Sequence, residues 1–426
     1  MKVKENKKHI DKYKIVLENY FIREIKMADK TLIENTLKKG EGVFRLNPNF
    51  IPRPFGVEGR RLRLHPDDYF AYGLQRGSIK ERWMASTNIA QNGPLAGPTE
   101  GLSFVAVDYS SDEKFSLKEA IEILGAQIIG KELMDKYKGF PVFSKFYDLK
   151  TPLFHHLHLD MEAAARVGKL GKPECYYFPH QFASHTGEMN ATYFGYDPDT
   201  TPEEVKQRLR DYNKGDTRIT ELSRAWRIEL GSGWYSPAGV IHAPGSVMTY
   251  ELNWNGDVNS VHENVVSGVT YPREFLNGEC PADKKDDIDY IFSLLDWEKN
   301  TDPHYKKRFG RPPVTIVKNS DCEEKWISYA NEGYFSAKEL SVNPGKSVTI
   351  KESAAFSVIF IQGHGKFGAH HCEAPGMLRF GQQSADEFFV SEEAAKKGIV
   401  ITNTSPVEPL VLIKGFGPNN AGVPEA

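Results

Sequence analysis

Cysteine is scarce and dispersed. The 426-residue chain has 4: Cys175, Cys280, Cys322 and Cys372, with no CxxC pair among them. This excludes a disulfide-dense secreted scaffold and a clustered thiolate site, and it fits a reducing compartment. Long apolar runs are also lacking, since no stretch approaches the roughly 18–20 residues that span a bilayer. The first residues are rich in Lys and Glu without an apolar h-region, so no secretory signal is expected. Neither sign of charge dominates: 54 Lys and Arg against 57 Asp and Glu leave a formal net charge of −3. That balance gives no electrostatic basis for binding nucleic acid or an anionic membrane. A soluble cytoplasmic protein is expected.

What is present is a globular composition, 40% hydrophobic with 36 Gly and 25 Pro, in a chain long enough for two or three domains. Residues 9–39 read as a helix, with Leu17, Tyr20, Phe21, Ile25 and Ala28 at helical spacing and Gly40 as its stop. Its expected role is to cover an edge or face of the adjoining domain or to form a homodimer. From Gly42 short apolar runs broken by Gly, Pro and Asn read as β-structure. Helical patterns interrupt them at 116–138 and at about 201–215, the second opening on Thr201-Pro202-Glu203-Glu204. The acidic segment 281–300 reads as a linker helix. Beyond Arg311-Pro312-Pro313 the β pattern returns, with Ser347–Lys351, Ser357–Gln362 and Ile399–Thr402 as strands. The division is a helical extension (1–40), a β domain with helical inserts (41–275), a helical linker (276–312) and a second β domain (313–426), giving two barrels or sandwiches.

Two segments carry chemistry. In Phe154-His155-His156-Leu157-His158-Leu159-Asp160, strand geometry puts His156 and His158 on one face and turns His155 away. Gly231 to His242 reads G-x5-P-x-G-x2-H, a Pro-Gly turn that delivers His242 to the next strand. An H-x-H strand followed by P-x-G-x2-H is the paired signature of cupins, whose fold is a jelly-roll barrel. Two carboxylates compete as fourth ligand. Glu162 follows His158 closely, but Asp160-Met161-Glu162-Ala163-Ala164-Ala165 looks like a helical turn leaving the barrel. Glu174, in a turn opening the aromatic strand Glu174-Cys175-Tyr176-Tyr177, is favoured. The expected set is His156, His158, Glu174 and His242 around one divalent ion. These donors accept zinc, iron, manganese or nickel alike. The histidines of the second barrel, His364, His370 and His371, lie in a glycine-rich hairpin pattern with no P-x-G-x2-H partner, so that barrel reads as metal-free.

With Glu174 chosen, the chain resembles the class I mannose-6-phosphate isomerases of the short bacterial type. The resemblance runs from about Gly42 to 275 and more weakly beyond. Glu81-Arg82-Trp83-Met84-Ala85-Ser86 is similar to that family's G-E-x-W-x-x-S. Phe140 to Phe146 is similar to F-P-L-L-x-K, Gly171 to Tyr177 to G-K-T-E-C-W-Y, and Tyr250-Glu251-Leu252 to E-I-Q. The resemblance implies zinc as the usual metal and a cleft for an open-chain sugar. It also implies proton transfer between C1 and C2 through a cis-enediol, with Glu251 and Lys172 as catalytic candidates and Lys145 facing the substrate.

The chain also departs from that pattern. His156 stands where the family has Gln, Phe154 where it has a phosphate-contacting Ser, and Val261 where it has a catalytic Arg. Valine cannot replace a guanidinium, nor a phenyl ring a hydroxyl donor. Arg273 and His262 are the candidates to compensate in substrate binding. The leading expectation is an aldose–ketose isomerase acting on a sugar or sugar phosphate. The alternatives are a cupin oxidoreductase or epimerase using the same metal site, and a non-catalytic sugar-sensing cupin.

Overall fold

The computed structural model describes residues 29–182 and 190–425. It is mainly β and built from two jelly-roll barrels of the cupin type. In the first, a seven-stranded antiparallel sheet faces a five-stranded one. The larger sheet runs in the order Gly310–Arg311, Gly233–Ser236, Glu174–Tyr177, Thr249–Trp254, Val142–Tyr147, Ile79–Met84 and Asn49–Pro52. The smaller runs Ser223–Arg227, Ala191–Tyr196, His242–Ala243, His156–Leu157 and Ser260–Val261. Among the described residues no helix is long and apolar enough to cross a membrane.

The register places the chemistry. Glu251 is the partner of Lys145 on one side and of Tyr176 on the other, and Lys145 is the partner of Trp83. Residues paired directly across strands share a face, and so do residues two apart on one strand. Glu81, Lys145, Glu251 and Glu174 therefore project from the same face of the larger sheet. On the opposing sheet His242 pairs with His156, and His156 pairs with Val261.

The second barrel has a seven-stranded sheet over a four-stranded one containing Ser347–Ile350, Ile399–Asn403, His364–Phe367 and His370–Glu373. The strand Val43–Arg45 joins this C-terminal sheet by pairing with Glu387–Val390. A continuous apolar core that includes Phe140, Leu252, Ile327, Phe335, Ile359 and Ile413 runs across both barrels.

Several helices differ from the sequence reading. The helix expected over 9–39 falls largely outside the described residues. The described part is Lys30–Lys39, and extended Asp29 caps its start by accepting from Thr31 N. The pattern at 116–138 is divided at Gly125 and Gly130 into Leu117–Leu124, Ala126–Ile129 and Lys131–Tyr137. The expected helix at 201–215 is Pro202–Arg210, opened by a reciprocal capping box between Thr201 and Glu204. The expected linker helix is a series of short turns and helices, Ala282–Lys284, Ile288–Ser293 and Trp297–Asn300.

Candidate metal centre

Three imidazoles meet at the floor of the first barrel. Ligand atoms of His156, His158 and His242 all lie within 4.8 Å of one another, and all three residues are buried. Local structure brings them there. Extended backbone at 156–158 directs alternate side chains inward, while His155 turns away to pair with Glu263, Nδ1 to Oε2, at 2.7 Å. The Pro237 turn closes with Val240 N donating to Pro237 O at 3.2 Å. Gly239 at its apex has φ 81°, a conformation that favours glycine. Its N–H donates to His158 O at 2.8 Å, which joins the two histidine segments.

The ring orientations are set by backbone carbonyls. Nδ1 lies 3.0 Å from Phe154 O in His156, 2.7 Å from Val258 O in His158 and 2.8 Å from Val240 O in His242. A carbonyl oxygen can only accept, so each Nδ1 carries the proton and each Nε2 presents a lone pair, the arrangement of metal-binding histidines. Burial and neighbouring imidazoles hold His156 well below the usual histidine range, and burial with the adjacent Lys172 charge brings His158 down to about 4. Both are therefore neutral at pH 7, as ligation requires.

Glu174 completes the group. Its Oε2 is 2.9 Å from His158 Nε2 and its Oε1 is 3.2 Å from His242 Nε2. These are contacts between acceptors, and His242 Nε2 is buried with no hydrogen-bond partner among the described residues. Facing lone pairs repel unless a cation lies between them. Lys172 meets part of that requirement, with its ammonium 2.5 Å from Glu174 Oε2 and 3.0 Å from His158 Nε2. A divalent ion would meet all of it, so the donor set fits a metal held by His156, His158, Glu174 and His242. Despite its burial, Glu174 is held well below the usual carboxylate range by the Lys172 charge. Glu162 stands apart, exposed on the helix Met161–Ala165 that Asp160 caps, and paired with Arg166 at 2.6 Å.

The floor opens into a cavity of 370 Å³, in the range of small-molecule sites. Glu251 lies in its wall, with Oε1 3.0 Å from Lys172 Nζ and 3.2 Å from Lys145 Nζ. Burial and the Glu174 charge push Glu251 up to about 7. Lys172 is held protonated against the effect of burial by Glu174 and Glu251.

Two expected substrate contacts are not brought together with this group. Arg273 sits at the start of the helix Glu274–Asn277, turned toward Leu209 O at 3.3 Å and Asp286 at 3.9 Å. His262 is buried behind the wall, 3.5 Å from the Tyr196 hydroxyl. Strand alternation explains it: Val261 faces the Phe154 cluster, and its neighbour His262 turns the other way. The second-barrel histidines stay dispersed, with His364 against Thr404, His370 against Val43 O and His371 against Glu373.

The sequence reading missed Arg53. Its guanidinium lines the cavity and pairs with Glu81 at 3.1 Å and Asp257 at 3.5 Å. Despite burial, Arg53 brings Asp257 down to about 2. The available signal was Pro52-Arg53-Pro54 at the end of a buried strand, where flanking prolines remove local backbone donors.

No protein-family model matches the sequence, and no curated protein matches it. Solved structures do. A mannose 6-phosphate isomerase from Bacillus subtilis aligns at 20% identity with a TM-score of 0.58, covering 88% of this chain and 99% of that one. A single-residue variant of phosphomannose isomerase from Salmonella typhimurium aligns at 11% identity and TM-score 0.58, covering 88% and 99%. A zinc-bound mannose 6-phosphate isomerase aligns at 11% identity and TM-score 0.57 with the same coverage. At these identities the likeness is one of fold, and the chain has the fold of the mannose-6-phosphate isomerases.

Proposed function

We propose that the protein is a metal-dependent aldose–ketose isomerase acting on an open-chain sugar, with His156, His158, Glu174 and His242 holding the ion, zinc foremost. The observation that supports this most directly is Glu251. It is a buried carboxylate flanked by Lys145 and Lys172, in the same cavity as the His156 and His158 imidazoles that group with His242. A general base must sit within reach of the proton it takes, and this carboxylate shares the cavity with the group that would hold the metal. The bound metal would polarise the sugar oxygens and reduce the cost of charge developing on them.

The residues of the chain supply the rest. Glu251 takes the proton from C2 of the aldose as O1 is protonated to give an enediol, then returns it to C1 as O2 gives up its proton, so that the O2 proton is in net transferred to O1 and the ketose forms. Lys172 and Lys145 flank Glu251 and compensate its charge when it is ionised. Lys172 also faces the ligand group, so it can donate toward a sugar oxygen as negative charge builds there.

The test is metal analysis of the purified protein, followed by NMR of deuterium exchange at C1 and C2 across a panel of sugars. Stoichiometric metal with exchange at both carbons is expected. Full metal occupancy without exchange on any aldose or ketose would overturn the isomerase reading.

A further inference from the structure

The cavity has two chemically distinct sides, and together they specify the kind of sugar. One side presents His156, His158, Glu174 and Glu251. An apolar side adjoins it, with Phe55, Leu149, Leu153, Phe154 and Phe275 in its lining. Phe154 joins them, its ring 5.4 Å from the His156 imidazole and edge-on to it at 86°. Phe55 lies 5.2 Å from Phe154, Tyr271 5.1 Å and Phe275 6.1 Å, with Val261 packed in the same cluster.

The charges that could receive a phosphate are already engaged. Four cationic side chains line the cavity among the described residues: Arg53, Lys80, Lys145 and Lys172. Arg53 pairs with Glu81 and Asp257, Lys145 with Glu251 and Glu81, and Lys172 with Glu174 and Glu251. Lys80 directs its ammonium at Arg53 O (2.8 Å), Ser78 O (3.1 Å) and Ser78 Oγ (2.7 Å), one acceptor for each N–H. Six carboxylates share the lining, Glu81, Glu174, Glu251, Asp257, Glu274 and Glu279. Glu279 is met by Lys169 at 2.8 Å, and the other five carboxylates outnumber the four cations. A phosphate dianion would enter an already compensated cavity and draw a cation from a buried carboxylate, a costly exchange.

We infer that the substrate is an unphosphorylated sugar whose terminus away from the metal is apolar, of the 6-deoxyhexose class, with its methyl group seated in the Phe55–Phe154–Phe275 cluster. This rests on the isomerase reading for the orientation of the sugar, carbonyl end toward the imidazoles. The Phe55, Phe154 and Phe275 rings that line the cavity offer no hydrogen-bond partner to a terminal hydroxyl, so a hydroxymethyl group against them loses its water without replacement. The methyl group has no such penalty and gains apolar contact.

The test uses the metal-loaded protein and a trio differing only at C6: 6-deoxy-D-mannose, D-mannose and D-mannose 6-phosphate, with the gluco trio alongside. Dissociation constants come from calorimetry or ligand-observed NMR. The 6-deoxy sugar should bind roughly ten- to a hundredfold tighter than the hexose, with the phosphate weakest. Phe154→Ser should erase most of that preference while metal content stays unchanged. Phe275→Ser, at the partly exposed rim, gives the same reading if the first variant misfolds. Tightest binding of the phosphate, equal binding of methyl and hydroxymethyl sugars, an unchanged ratio in both variants or no binding by any of the sugars would each overturn the inference. Because binding is read without turnover, the two proposals fail separately. A preserved binding order without C1–C2 exchange sinks only the isomerase reading, and exchange with the phosphate preferred sinks only this one.

Discussion

Where the two barrels meet, Arg82 lies between two carboxylates, and this arrangement makes a quantitative prediction. The Arg82 guanidinium is 2.8 Å from each oxygen of Asp386 and 3.1 Å from Glu387 Oε2. All three side chains are buried, and Glu387 Oε1 also accepts from Ala85 N at 3.2 Å. One cation against two acids leaves Glu387 undercompensated. Burial, with the Asp386 charge adding to it and Arg82 opposing, pushes Glu387 up to about 7 from 4.5. That displacement corresponds to about 3 kcal/mol of preference for the protonated form in the folded state. The folded state binds this proton more tightly than the unfolded chain does. Its contribution is therefore fully present below about pH 4.5 and is lost as pH rises through about 7. Between pH 5 and pH 8 the parent should lose about 2–3 kcal/mol from this group. Glu387→Gln holds the side chain in its neutral form, so its stability relative to the parent should rise by about that amount over the same interval. Urea unfolding followed by tryptophan fluorescence at both pH values measures it. Arg82→Met is the opposite control, expected to cost about 3–5 kcal/mol at pH 8 by leaving two buried acids without their cation. A Glu387→Gln variant destabilised equally at both pH values would refute the reasoning. The joint also bears on function, because Ala85 ends the strand Ile79–Met84 that carries Glu81 to the cavity.

The remaining predictions concern the site. His158→Ala and His242→Ala should each lose bound metal by elemental analysis while keeping the parent circular dichroism spectrum, whereas Glu162→Ala should retain full metal. Glu251 must be ionised to act as a base, and a divalent ion on Glu174 would offset the charge that raises it, so the C2 exchange rate of the metal-loaded parent should rise with pH and level off below the value of about 7 at which Glu251 titrates without the ion. Glu251→Gln should lower that rate by roughly 10²–10⁴-fold with metal content unchanged, and a rate within tenfold of the parent would remove Glu251 from the mechanism. A Cβ on Gly233 would lie 2.0 Å from Tyr176 O on the adjacent strand. Gly233→Ala should therefore destabilise the protein by about 1–3 kcal/mol or more, visible as a lowered thermal midpoint, and should loosen the strand that carries Glu174.

What the sequence disclosed and what it withheld divide along the range of the interactions. His156 and His158 were legible because a strand repeats every two residues, and His242 because Pro237 and Gly239 specify a turn within a few positions. The placement of Glu174 beside the histidines, with Glu162 apart from them, was legible because Asp160 could be read as a cap, which it is, accepting from Ala163 N. The C-terminal strands were read to within a residue at each end, Ser347–Ile350, Phe356–Gln362 and Ile399–Asn403, since their alternation is local. The polar lining of the cavity was not readable in this way. Glu81, Lys145 and Glu251 come from three different strands, Arg53 directly follows a fourth, and they meet through register between Asn49–Pro52, Ile79–Met84, Val142–Tyr147 and Thr249–Trp254. A one-residue slip in any of those pairings would turn its side chains to the other face, and no local pattern reports the register. The same limit explains Arg273 and His262. Both lie near Val261 in the chain and so invite the role of a missing guanidinium, but strand alternation turns His262 behind the wall and the next helix carries Arg273 out toward Asp286. The missing cation is not restored by a neighbour in sequence. The charge balance around Glu251 is met by Lys145 and Lys172, and the space beside His156 is filled by the Phe154 cluster. For that reason the departures at Phe154 and Val261 read as one coordinated change in what the cavity accepts. Restoring Val261 to arginine alone would place a charge among Phe154, Tyr271 and Phe275 and should abolish binding instead of creating a phosphate site.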